Sequence, residues 1–235
     1  MVSPRGRRLN RPETVKEANP ASWITADGLR QQQEALPPLA YQRFHCNRWT
    51  EREAHWLPAG ACVGTPIFRD GEPVWIGVDV GGDRSASAVV WVNEGHRVGC
   101  EIFHGDPGVL DCIDLIRELA GRYDLRKVMY DPWRFGQAAQ ELEQERITVT
   151  AYPQTDVRMV PASDRLYQAV QQRLTLPDNE ELCTHMANTI ARHNRRGWRL
   201  DKPSLKQPND SIIALCMALE APENQPEPLQ VVGWL

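Results

Sequence analysis

Val74-Trp75-Ile76-Gly77-Val78-Asp79-Val80-Gly81-Gly82 is the stretch on which the fold turns. A short apolar run that closes on a carboxylate and a glycine pair reads as a strand. Ala86-Ser-Ala-Val-Val-Trp-Val92 and Arg97-Val-Gly-Cys-Glu-Ile-Phe103 follow, separated by turn residues such as Asn93-Glu94-Gly95. Three strands at this spacing predict an antiparallel meander. Next, Leu110, Ile113, Leu115 with Ile116, and Leu119 recur at helical spacing, and Gly121 supplies a stop. Lys127–Asp131 reads as a fourth strand, Phe135 to about Arg146 as a helix, and Ile147–Tyr152 as a fifth strand. Helices then dominate: 162–174, 180–193 and 211–220, with a strand or hairpin at Gly197–Lys202 between the last two. Meander strands followed by strands alternating with helices predict an α/β fold, a mixed sheet flanked by helices.

Working outward, the chain divides into four parts. Residues 1–18 read as a flexible basic lead-in carrying Arg5, Arg7, Arg8, Arg11 and Lys16. Residues 19–59 read as a connecting segment with a short helix over Thr25–Glu34, ending before Pro37-Pro38. Trp49 and Trp56 lie two helical turns apart there, a spacing that suits packing against the next domain. Residues 60–220 hold the sheet domain, and 221–235 form a Pro-rich tail ending in Val231-Val-Gly-Trp-Leu235. That end is too apolar for a solvated terminus, so folding back or docking on a partner is expected.

The 235 residues are 41% hydrophobic and 25% charged, which excludes wholesale disorder. No apolar run approaches 18 residues, so no membrane-spanning helix is expected, and the basic start has no apolar stretch behind it to make a secretory signal. A net charge of -4 argues against a small basic protein that coats nucleic acid. It leaves room for an enzyme with a local basic patch. The six cysteines, Cys46, Cys62, Cys100, Cys112, Cys183 and Cys216, form no C-x-x-C pair and lack His at zinc-ligand spacing. They read as small buried residues of a cytosolic-type chain.

The chemistry lies in three acids at the ends of elements. Asp79 ends the first strand, Asp131 ends the fourth, and Asp210 opens the last helix in Lys206-Gln-Pro-Asn-Asp210-Ser-Ile-Ile. First and fourth strands of a mixed sheet can be neighbours, and a facing helix could add Asp210. Three clustered carboxylates repel unless a cation neutralises them, and hard oxygen ligands select Mg²⁺ or Mn²⁺. Two such ions about 4 Å apart can clamp the attacking and leaving oxygens of a phosphodiester. Each acid alone also reads as a turn, strand-end or helix-cap residue; only the joint pattern is informative. Asp83, four residues after Asp79, is a further metal candidate. Arg192, Arg195, Arg196, Arg199, Lys202 and Lys206 cluster before the third acid, facing Asp201 alone among opposing charges. They are candidates for DNA phosphate contact, and Lys206 for a scissile-phosphate or metal-water contact. His45, His55, His185 and His193 read as surface or packing histidines. The Gly77-Val-Asp-Val-Gly-Gly82 run also resembles the phosphate loop of sugar kinases and actin-like ATPases, but no second Gly-Gly pair exists in the chain.

Taken in order, these segments resemble the large terminase subunit of tailed bacteriophages, in its C-terminal nuclease domain. The carrying residues are Ile76–Asp79 with Ser85–Val92, Val128-Met-Tyr-Asp131-Pro-Trp-Arg-Phe135, and Lys206–Leu219. Upstream, Phe44-His-Cys-Asn47-Arg-Trp49-Thr50 with Trp56-Leu-Pro58 looks like the family's link between ATPase motor and nuclease. The resemblance implies an RNase H-like fold and a metal-dependent endonuclease that cuts double-stranded viral DNA during genome packaging. It places Asp79, Asp131 and Asp210 on the metal-binding acids for two divalent cations, Mg or Mn. Asp79 would bridge both ions, with Asp131 and Asp210 each holding one. It also implies the host bacterial cytoplasm and, as partners, the portal or procapsid and the small terminase subunit, with no membrane. No G-x-x-x-x-G-K-[ST] loop occurs, so no ATP site is expected in this chain, which reads as part of a longer protein or the product of a split or degenerate gene. Rival readings are another RNase H-like nuclease of resolvase or transposase type, and a packaging module that binds DNA or a partner without cutting.

Overall fold

A computed structural model describes residues 11–36, 41–42, 44–47, 56, 63–81, 86–105, 108–172, 174–204 and 206–223. Two short helices, α1 (Pro12–Glu17) and α2 (Ala26–Ala35), and the two-residue strand β1 (Val63–Gly64) precede the stretch around Asp79. The lead-in thus contains a helical turn, with Val15 buried and Glu13 paired to Arg30 of α2 at 2.9 Å. Thr25 starts α2 by accepting the Gly28 N–H, as its place before the apolar Leu29 requires.

The deciding stretch is strand β2 (Pro73–Val80), buried on both faces. Its side chains sort by a period of two. Val74, Ile76 and Val78 enter one apolar cluster, and Trp75 enters the other. Strand β3 (Ser87–Asn93) pairs antiparallel with β2, and β4 (Val98–Phe103) antiparallel with β3. This is the expected meander. Helix α3 (Gly108–Arg122) crosses over to β5 (Asp124–Tyr130), which lies parallel on the other edge of β2. Helix α4 (Pro132–Gln144) crosses to β6 (Val149–Ala151), parallel to β5. The sheet order is β4-β3-β2-β5-β6, with β2 at the centre. Cys112, Ile113, Ile116, Phe135 and Leu142 of α3 and α4 close one face over Val74, Ile76, Val78 and Val128.

The opposite face is covered by α5 (Asp156–Gln172) and by the last helix. After α5 come β7 (Leu176–Pro177), parallel to β1, and α6 (Glu180–Asn188), which Asn179 caps through the Glu181 and Leu182 N–H groups. The hairpin β8 (Ile190–Asn194) and β9 (Gly197–Asp201) leads to α7 (Asp210–Glu223). Residues Asn209 to Leu219 are buried without a break, so α7 is a core helix, consistent with a run apolar on every side.

Several boundaries depart from the sequence reading: α3 runs through Gly121 to Arg122, and β5 starts at Asp124 rather than at Lys127. The helix expected over 180–193 stops at Asn188, because Thr189 is extended and Ile190–Asn194 pairs with β9. Gly197, at φ 142°, makes the turn, and Trp198 and Leu200 alternate into the core beside Tyr167, 5.8 Å from Trp198 in a T-shaped contact. Tertiary packing of two aromatic-aliphatic strand residues overrides the helical reading. Helix α5 starts at Asp156, well before 162, and carries Pro161 inside it. Helix α4 begins at Pro132, whose missing N–H costs nothing at the first helical position. Asp83, Trp49, residues 1–10 and residues 224–235 lie outside the described residues.

Candidate active site

The sheet brings two of the three acids to one edge. Strands β2 and β5 run parallel, with Val78 opposite Tyr130, so Asp79 and Asp131 are the next residues of each strand. The Asp131 N–H still donates to Val78 O at 3.4 Å. By the same alternation Asp79 follows Trp75 and Gly77, and Asp131 follows Met129, on the face that carries α7. The third acid arrives because α7 lies directly on Gly77. A Cβ there would overlap Ala214 O and come within 2.8 Å of Ala218 N. Asp210 is one turn back from Ala214, as Asp79 is two residues on from Gly77, which sets the head of α7 against the strand ends.

Asp79 and Asp210 are buried, and Asp131 is half-buried. Burial, then the charges of Asp210 and Asp131, push the Asp79 carboxyl up to about 8. The Gln154 hydrogen bond and the Lys202 charge oppose that rise. Burial also raises Asp210, against Lys202, a backbone hydrogen bond and His185. Asp210 Oδ2 is buried and has no hydrogen-bond partner. Among the described residues no three His, Cys, Asp or Glu side chains close into a set that would hold one ion. Part of the reason is visible in Asp131, whose Oδ1 accepts the Trp133 N–H at 3.0 Å and caps α4. Even so, two buried carboxyls raised by burial, one of them also by its neighbouring acids and the other with an orphaned oxygen, are short of positive charge, and a hard divalent cation fits that donor set.

The basic cluster separates into three environments. Arg195 and Arg196 stand exposed at the β8–β9 turn. Arg192 pairs with Asp201 at 2.8 Å and donates to Lys202 O at 3.2 Å. Arg199 points inward, to Gln154 O at 3.1 Å and Asp156 Oδ1 at 3.2 Å. Lys202 is the lysine whose charge acts on both buried acids, whereas Lys206 is exposed on the turn before α7. His185 is fully buried, with Nδ1 2.9 Å from Ser211 Oγ and accepting the Ser211 N–H at 3.3 Å. Burial lowers its pKa, as suits a packing histidine that anchors the first turn of α7. Trp133, beside Asp131, is exposed with Arg134 stacked 4.7 Å over its ring.

Against solved structures, the chain is similar to the large terminase of bacteriophage HK97, at 17% identity and a TM-score of 0.62, over 93% of this chain and 56% of that one. It is similar to the large terminase nuclease of thermophilic phage G20c, at 16% identity and a TM-score of 0.57, over 68% of this chain and 93% of that one. The same nuclease with bound magnesium matches at 17% identity and a TM-score of 0.55, over 68% and 92%. The fold is that of a large terminase nuclease domain. No protein-family model matches the sequence, and no curated protein matches it.

Within this terminase-nuclease fold, the sequence reading missed Gln154, Gly77 and the place of Lys202. Gln154 sits in a polar Pro-Gln-Thr-Asp loop with no motif to mark it. Gly77 carried a signal that could have been used, since a glycine inside a strand marks a close approach of another backbone. Lys202 and Lys206 are told apart only by place: Lys202 follows directly on the paired end of β9, half-buried, whereas Lys206 stands exposed in the loop before α7.

Proposed function

We propose that this chain is a metal-dependent endonuclease that cuts double-stranded DNA in viral genome packaging. The observation that carries the reading is the pair of buried carboxylates, Asp79 and Asp210, at the end of a central strand, with Asp131 beside them and one oxygen orphaned. Its support from likeness is the fold of phage terminase nucleases, one of them solved with bound magnesium, cobalt or zinc. Asp79, Asp131 and Asp210 would hold two divalent cations, Mg or Mn. Bound there, such ions supply an acidified water and neutralise charge on the phosphate.

The chain's own groups then have definite tasks. Asp79, which feels the charge of both other acids, would serve both cations. Lys202 offsets the carboxylate charge on the protein side. Lys206 and the exposed Arg195 and Arg196 meet the DNA backbone, where each neutralised phosphate releases counterions. Hydrolysis leaves a 5′-phosphate and a 3′-hydroxyl. Among the described residues the site offers phosphate-directed charges and no groove-reading element, so little sequence preference is expected.

Supercoiled plasmid incubated with Mg²⁺, Mn²⁺ or chelator tests the reading. Nicking with a divalent ion and none with chelator is expected; metal-independent cutting, or no cutting with either ion, defeats it. Arg195→Ala with Arg196→Ala is expected to flatten the dependence of log affinity on log salt by about 1.8, two phosphate contacts at ~0.9 each. An unchanged slope would remove the hairpin tip from the DNA path.

A further inference from the structure

We propose that Gln154 is a positioning residue that fixes the Asp79 carboxylate for its cation, an inference that rests on the metal reading above. Gln154 Nε2 donates to Asp79 Oδ1 at 2.8 Å, and among the described residues it is the side chain that hydrogen-bonds this buried acid. The amide engages Oδ1 only. An ionised carboxylate has no donor of its own, and two neighbouring acids push against this one. A neutral donor can hold the group at a fixed rotation without supplying the charge that a lysine would, and so without competing with a cation for the site.

Gln154 is itself held from both sides. Upstream, the buried Tyr152 continues the β5–β6 ladder through its N–H to Tyr130 O at 2.7 Å. Downstream, the Thr155 N–H donates to Pro153 O at 2.8 Å, and α5 starts at once with Asp156. The Gln154 carbonyl accepts from Arg199 Nη1 at 3.1 Å, and the same nitrogen reaches Asp156 Oδ1 at 3.2 Å. Arg199 belongs to β9, so the hairpin, the head of α5 and the end of β2 meet through one glutamine. Such an arrangement has a rigid donor with its backbone pinned and its side chain aimed at a reactive group. A loop glutamine with no such task would be solvated.

Partners of this kind are worth about 10–100-fold in metal affinity. The test is calorimetric titration of Mn²⁺ into wild type, Gln154→Ala and Gln154→Met, with thermal melts recorded without metal. Both variants are expected to bind Mn²⁺ about 10–100-fold more weakly, while their metal-free melting temperatures stay near wild type. Methionine keeps the volume and loses the amide, so wild-type affinity in Gln154→Met would make the residue a space-filler and overturn the proposal. Wild-type affinity in both variants overturns it too and leaves the metal reading standing. No Mn²⁺ uptake by wild type sinks the metal reading, and the role of Gln154 with it. Should both variants unfold, Gln154 is a residue of the fold, and the positioning role fails.

Discussion

Asp79→Asn is expected to lower Mn²⁺-dependent plasmid nicking by roughly 1,000-fold while raising the melting temperature at alkaline pH. The two effects share one cause. Asp79 is buried between Asp210 and Asp131, and its carboxyl is pushed up to about 8 from an ordinary 3.8. The folded protein therefore keeps a proton that the unfolded chain has already released. Stability from that proton is whole below about pH 4 and is lost as the pH rises through about 8. Above that range the folded protein carries a buried charge facing two others. Asparagine has no proton to lose and can still accept the Gln154 N–H through its carbonyl oxygen. Its advantage should be smallest near pH 5 and largest near pH 9, on the order of 2 kcal/mol or roughly 5 °C. Mn²⁺ should stabilise wild type and leave the variant unmoved, because a ligand stabilises only the state that binds it. Melting curves at the two pH values, with and without Mn²⁺, decide the matter. A variant that melts lower at pH 9, or one that still nicks at the wild-type rate, removes Asp79 from the proposed centre.

The path from sequence to fold was open where local rules suffice. The apolar run ending at Asp79, the turn at Asn93–Gly95 and the spacing of Ile113, Ile116 and Leu119 set out the meander and its first crossover, and the structure follows them. Adjacency of Asp79 and Asp131 could be reasoned out as well, since it needs only that β5 return beside β2. What failed depends on three-dimensional packing. Residues Ile190–Asn194 leave the helix because Trp198 and Leu200 on the opposite strand have a core to enter, and no local preference records that. Arg199 sits in a basic run with Arg192, Arg195 and Arg196, yet Gln154 O and the Asp156 carboxylate draw its guanidinium in, although alternation puts it on the face opposite Trp198 and Leu200. Charge runs identify a face only when every member points the same way. The hairpin register sets Arg192 beside Arg199, and only the partners at Gln154 and Asp156 separate the two.

Gly77→Ala is the second large effect, and it arises from space rather than from backbone freedom. Gly77 lies in the middle of β2, where α7 rests on the strand with no side chain between them. An added Cβ would overlap the backbone of Ala214 and fall 2.8 Å from Ala218 N, atoms that cannot rotate away as a side-chain tip would. The helix cannot yield easily either. It is buried along Ser211–Leu219, and its first turn is tied to His185 through Ser211. Overpacking of this kind costs about 3 kcal/mol, or roughly 10 °C in a protein of this size. Whatever relief occurs must lift α7 from the sheet, and the head of α7 carries Asp210. Loss of nicking should therefore accompany the loss of stability, and Mn²⁺ affinity should fall in the fraction that stays folded. Gly121→Ala supplies the contrast. A Cβ at that position in α3 meets nothing within 4 Å, and alanine there should be neutral or stabilising by about 0.5 kcal/mol. If Gly77→Ala melts and cuts like Gly121→Ala, α7 does not seat on β2 at this glycine, and Asp210 is not delivered to the acids by that contact.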